Sequence, residues 1–194
     1  MKDKIIDIAK NNNGYITGKI MKEHNIPSIY IYRLAKAGVF EKVDKGIFVL
    51  KDFIQDSFYN IQLLYPNLIF CEETALYLNG LSNAQFSGYY GTIPYENSIP
   101  KYDNLKVIRS RKVTVGIGVE EVVTPYGNSV KCYDKERMIC DLFINPAHYD
   151  YEDRVYAINK YNSDYLNIDK LYNCARQLKV YDEVRNVFEV IRWN

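Results

Sequence analysis

The sequence has little of what marks the extreme classes of protein. Proline (6) and glycine (10) are scattered through 194 residues, and no Pro-rich or Ser/Gly-rich stretch is too polar to order itself, so no long disordered tail is expected. No apolar run approaches about 18 residues, the length a membrane-spanning helix needs. Met1-Lys-Asp-Lys-Ile-Ile-Asp7 places charges where a signal peptide requires an apolar core. A cytoplasmic protein with no membrane partner is the expectation. Cys71, Cys132, Cys140 and Cys174 lack any short paired spacing, and only His24 and His148 are at hand to complete a metal set. Reduced thiols are expected, with neither a disulfide framework nor a zinc site, and no cofactor.

Signatures of catalysis are missing too. There is no Gly-rich phosphate loop and no Gly-x-Ser-x-Gly, and neither histidine has a nucleophile beside it, so a non-enzymatic protein is expected. A strong excess of one charge is likewise absent, the net being +1. The balance is uneven, however. Residues 1–54 carry ten Lys/Arg against six Asp/Glu and residues 55–194 fifteen against eighteen, which makes the front of the chain the anion-binding part.

That front has a readable pattern. Ile5, Ile8 and Ala9 share one helical face over residues 2–11, and Asn11-Asn-Asn-Gly14 ends the helix with residues that tolerate a left-handed turn. Thr17 is placed to cap a short second helix with Ile20 and Met21 inward, stopping near Asn25 before Pro27. Ser28 is placed to cap a third, whose inward stripe is Ile31, Leu34, Ala35 and Gly38. Ile29, Arg33 and Lys36 then face outward, with Tyr30 and Tyr32 on the flanks. Arg can bridge guanine edges, Lys and Tyr can reach phosphates, and an exposed Ile can meet a thymine methyl. Val39–Val43 and Ile47–Leu50, around the turn Asp44-Lys45-Gly46, read as a hairpin with Lys42 and Lys45 near its tip. Three helices followed by such a hairpin predict a winged helix-turn-helix, with Thr17, Ser28, Ile29, Tyr30, Tyr32, Arg33, Lys36, Lys42 and Lys45 as the DNA-binding set.

The rest predicts a mixed α+β domain with a small central sheet and C-terminal helices, the whole chain being α+β. Helices are expected over Asp56–Tyr65 and Glu72–Asn79, and strands over Leu68–Cys71, Tyr89–Tyr95, Lys106–Lys112, Ile117–Val123 and Ser129–Tyr133. Further helices start at Asp134, Asp150 and Asn167, and the last runs from about Tyr181 to Arg192. Arg137 and Asp141, four apart on one helix, are spaced to pair, with Glu136 beside them. These three form either a structural ion pair or a partner face. Lys106, Arg109, Arg111 and Lys112 make a two-sided basic strand, read as an edge strand first and a second nucleic-acid contact next.

The order of these segments resembles the AbiEi-type antitoxins of abortive-infection toxin-antitoxin systems. Gly38-Val39-Phe40 leading through Val43 to Gly46-Ile47-Phe48-Val49-Leu50 is similar to the end of that family's winged helix, including the aromatic residue two after the glycine. Glu73-Thr-Ala-Leu-Tyr-Leu-Asn-Gly-Leu81 is similar to a family helix ending in Gly-Leu, although Cys71-Glu72 stands where the family has Ser-His. Glu136-Arg137-Met-Ile-Cys-Asp141-Leu-Phe matches its Glu-Arg and Asp-Leu. The resemblance covers most of residues 1–145. It implies a DNA-binding domain over 1–54 and an antitoxin domain over 55–194. It further implies an autorepressor that binds inverted repeats in the duplex DNA of its own promoter and counteracts a nucleotidyltransferase toxin without requiring a stable complex. Two other readings stay open at this point. One is a winged helix fused to a metal-dependent endonuclease using Asp103, Glu120 and Glu121, and the other is a regulator whose C-terminal domain senses a small ligand.

Overall fold

The computed structural model describes residues 1–193. Among these the chain is mixed α+β, with two sheets of three and five strands, and no described helix is long and apolar enough to cross a membrane. Two compact units divide the chain: residues 1–66 with 123–129, and residues 67–122 with 130 onward.

In the first unit α1 (Lys2–Lys10) buries Ile5, Ile8 and Ala9 as the periodicity predicts. Asn13 and Gly14 then turn left-handed (φ 50° and 83°). A side chain at Gly14 would lie 2.4 Å from the Phe53 ring. β1 (Tyr15–Thr17), α2 (Gly18–Glu23), α3 (Ile29–Lys36), β2 (Phe40–Asp44), β3 (Ile47–Leu50) and α4 (Ser57–Leu64) follow. Thr17 caps α2 as expected, its Oγ1 accepting from the Ile20 amide at 3.3 Å. Between the expected first two helices the chain forms a strand that the sequence pattern does not announce: β1 and β2 both pair antiparallel with the central β3.

β3 is buried at every position. Its alternate side chains point to opposite faces. Phe48 and Leu50 join Ile16, Phe40 and the inward residues of α1 to α3, whereas Ile47 and Val49 join Tyr15 and pack against Tyr59, Leu63 and Leu64 of α4. This second layer is why the first unit runs on to Pro66 rather than parting at residues 54 and 55, where the sequence placed the division.

A buried carboxylate holds that layer. Asp56, with no exposed surface, caps α4 by accepting from the Phe58 and Tyr59 amides through Oδ1 at 3.0 and 3.2 Å. Its Oδ2 accepts from Thr124 Oγ1 at 2.6 Å and Asn128 Nδ2 at 2.8 Å, while its own amide donates to the Tyr15 hydroxyl at 2.6 Å. Four donors on one ionised group satisfy a charge that could not otherwise remain buried.

The second unit is built on a sheet of order β6-β5-β4-β8-β7, from β4 (Ile69–Phe70), β5 (Tyr89–Pro94), β6 (Leu105–Ser110), β7 (Val119–Val123) and β8 (Ser129–Tyr133). β4 runs antiparallel to β5 and parallel to β8, and β5 and β6 are parallel. Helices α5 (Glu72–Leu78), α6 (Lys112–Val115), α7 (Lys135–Ile144), α8 (Tyr151–Asp164), α9 (Ile168–Leu178) and α10 (Tyr181–Trp193) complete it. Asp134, Asp150 and Asn167 stand at the N-cap positions of α7, α8 and α9. The strand expected from Ile117 starts two residues later, after Gly118, whose left-handed φ of 71° and close approach to Arg137 Cβ leave no room for a side chain. All four cysteines are buried and free.

Candidate nucleic-acid interface

The outward face of α3 is built by its own periodicity. Ile31 is buried, Leu34 and Ala35 rest half-buried on the core, and Ile29, Tyr32, Arg33 and Lys36 are left exposed on the far side. Ile29 and Tyr32 are 52% and 51% exposed, large values for apolar side chains on a helix with a core to serve. Tyr32 is seated rather than loose, its ring meeting Phe48 edge-on at 5.1 Å.

Three expected details differ. Tyr30 is half-buried against the core and carries the Arg33 guanidinium over its ring at 5.8 Å, so it supports the face more than it forms it. Gly38 is not part of the inward stripe: it is exposed and left-handed (φ 74°), and it closes α3 through bonds from its own amide to Ala35 and from the Val39 amide to Leu34. Ser28 precedes α3 but does not cap it by side chain. Its backbone is already helical, and the first amides are met instead by the carbonyls of Pro27 and Ser28. The Ser28 hydroxyl faces the start of α2, since a side chain at Gly18 would come within 3.8 Å of it. Lys19, exposed and next to that junction, is a basic residue the sequence reading passed over. Its signal was adjacency of the two helix starts, which spacing alone does not show.

The β2–β3 hairpin presents Lys42 and Lys45, both exposed. Lys42 lies opposite Phe48, hence on the sheet face toward α3. Asp44 accepts from the Lys45 amide at 2.6 Å, and Gly46 takes the left-handed position. The carboxylate therefore shapes the turn. Among the described residues, none of Arg33, Lys36, Lys42 and Lys45 has a carboxylate partner.

The Glu136, Arg137 and Asp141 group is largely buried on α7. Arg137 donates to Asp141 Oδ1 at 2.9 Å and to the carbonyls of Thr114 and Ile117 at 2.7 and 2.9 Å, and it lies over the Tyr133 ring at 4.1 Å. Burial pushes the Asp141 carboxyl up to about 6, against the pull of that guanidinium. Glu136 accepts from the Tyr161 hydroxyl at 3.0 Å and pairs with Lys170 at 2.7 Å, and Lys170 also reaches Asp134 at 3.1 Å. These contacts bind α7 to α6 and the loop after it, to α8 and to α9. Such saturation describes a structural network and leaves little of it for a partner.

The basic cluster is split. β6 is an edge strand as read, but it stops at Ser110, with Arg111 at the N-cap of α6 and Lys112 inside it, so the four cations do not alternate along one strand. Lys106 donates to the Tyr90 hydroxyl at 2.6 Å, and Arg109 lies over the Tyr95 ring at 5.4 Å. Asp103, Glu120 and Glu121 belong to no group of three or more metal-ligating side chains among the described residues.

No family model matches the chain, and no curated protein matches it significantly. Among solved structures it is similar to the RV2827C protein from Mycobacterium tuberculosis, with a TM-score of 0.57 over 92% of this chain and 74% of that one, at 13% identity. At that identity the likeness is one of fold.

Proposed function

We propose that the first unit is a winged helix-turn-helix that binds duplex DNA, and that the chain is an AbiEi-type antitoxin which represses its own operon at inverted repeats and counteracts a nucleotidyltransferase toxin. One observation carries the DNA-binding part. Arg33, Lys36, Lys42 and Lys45 are exposed on α3 and the adjoining hairpin without carboxylate partners among the described residues, around the exposed Ile29 and the seated Tyr32. Such a face has cations for phosphates and a planar guanidinium and apolar groups for base edges. The antitoxin part rests on the motif resemblance and is tested by co-expression with the product of the neighbouring reading frame: a nucleotidyltransferase toxin whose growth arrest this chain relieves is expected, and a neighbour of another kind or failure to rescue growth would count against it.

Arg33 and Lys36 have different jobs in this reading. Arg33→Ala is expected to weaken the operator by roughly 1 to 3 kcal/mol and to relax sequence preference, while Lys36→Ala weakens all duplexes alike. Undiminished binding by both variants, measured by fluorescence anisotropy, takes α3 out of the groove.

The hairpin lysines act on phosphates. Each one removed should flatten the slope of log affinity against log salt by about one unit, because one fewer condensed counterion is released. Specificity is expected to survive. An unchanged slope in the Lys42→Ala, Lys45→Ala double variant reassigns the hairpin to covering the core.

A further inference from the structure

We propose that the second unit carries a binding site for a small organic cation with a flat or apolar body, a property beyond the DNA and antitoxin reading and independent of it. The site is a cavity of about 310 Å³ walled by α5, the irregular segment after it and the turn that leads into α8. That volume lies at the lower end of the range that takes metabolite-sized ligands.

Its charge is one-sided. Glu73, Asp150 and Asp153 line it and no lysine or arginine does. The basic side chain that does line it, His148, is already engaged, Nδ1–H donating to Glu72 Oε1 at 2.8 Å. Glu73 accepts from Ser87 Oγ at 2.9 Å, which leaves lone pairs on the carboxylate for another donor. The carboxylates of Asp150, which is exposed, and of the half-buried Asp153 have no hydrogen-bond or ion-pair partner among the described residues, and that of Asp150 caps no amide although the residue stands at the N-cap of α8. An anion is repelled by such a lining. A neutral ligand would desolvate the carboxylates without replacing what water gave them, whereas a cation supplies the missing partner.

The apolar part of the lining fits the same class of ligand. Tyr77 and Phe86 stand with ring centroids 5.1 Å apart, and the buried Tyr149 adds a third ring. Aromatic faces attract an ammonium or guanidinium while covering the apolar body it is attached to. Two walls are also braced against each other. Glu72 adopts a left-handed φ of 48°, which a non-glycine residue keeps only where its contacts over-determine it, and its bond to His148 ties the start of α5 to the turn at Pro146–His148. A preformed cavity loses less on binding than one that must be assembled.

Isothermal titration of the full chain tests this with tyramine and agmatine as cations, and with tyrosol and 4-hydroxyphenylacetate as the neutral and anionic counterparts of tyramine. Saturable binding of at least one cation is expected, with the neutral and anionic compounds weaker by about tenfold or more. Glu73→Gln combined with Asp153→Asn should reduce cation affinity by a similar factor of about ten while the melting temperature stays near that of the parent. Ala84→Phe, an exposed position on the cavity rim, should block binding by filling the space without touching the carboxylates. No saturable binding of either cation, equal binding of all four compounds, or full affinity in a folded carboxylate or Ala84→Phe variant overturns the proposal.

Discussion

Arg137→Met is expected to lower stability by about 3 to 5 kcal/mol, because removing one member of a buried pair strands the other. Asp141 would keep its burial and lose its counter-charge, and the Thr114 and Ile117 carbonyls would lose their shared donor. Chemical denaturation measures the loss, and a value under about 1 kcal/mol would place the pair in the weak class of surface ion pairs. The pH dependence separates a stranded carboxylate from simple loss of packing. In the native protein the Asp141 carboxyl titrates at about 6, raised by burial, against about 3.9 when unfolded. The folded state therefore binds this proton more tightly. Its contribution is present in full below about pH 4 and is lost as pH rises through about 6. Without Arg137 the folded value climbs further, so the variant's deficit should be larger at about pH 8 than at about pH 5. Equal deficits at the two values would mean that Asp141 is not the group left stranded.

Asp56→Ala is expected to destabilise the first unit by a similar amount, about 3 to 5 kcal/mol, since hydrogen bonds to an ionised acceptor are the strong ones and four donors lose theirs together. The Phe58 and Tyr59 amides lose the cap of α4, and Thr124 and Asn128, both buried, lose the partner that holds 124–128 in place. Asp56→Asn retains one acceptor oxygen and should fall between the parent and the alanine variant. If α4 comes away, one face of β3 is uncovered and the hairpin loses its support, so the duplex binding proposed for the α3 face should fall with stability even though residue 56 lies outside that face. A folded Asp56→Ala protein with the parent's stability would refute the network, whatever its DNA affinity.

Much of the first unit was legible because its rules are local. Helical periodicity alone separates Ile31, Leu34 and Ala35 from Ile29, Tyr32, Arg33 and Lys36, and Thr17 reports a cap through its position before an amphipathic stretch. Gly46 marks a turn that needs a left-handed residue. Local rules misread Gly38 and Ser28, where the same residue types serve two roles and backbone conformation decides between them. The strand ending at Ser110 rather than Lys112 is a similar case, since Arg and Lys are accepted equally by an edge strand and by a short helix.

Spacing over fewer than about ten residues is enough for the α+β class, the basic front, the outward face of α3 and most of the elements, β1 and α6 excepted. Tertiary structure alone decided the rest. The unbroken apolar run Ile47-Phe48-Val49-Leu50 announces a strand covered on both faces, yet only the fold shows that α4 is the second cover and that the unit ends at Pro66. Likewise Asp56 looks like one more helix cap until the chain brings Thr124 and Asn128 to it from 68 and 72 residues away. Contacts closed across such distances depend on how the whole chain buries its apolar surface, and no window of sequence contains both partners.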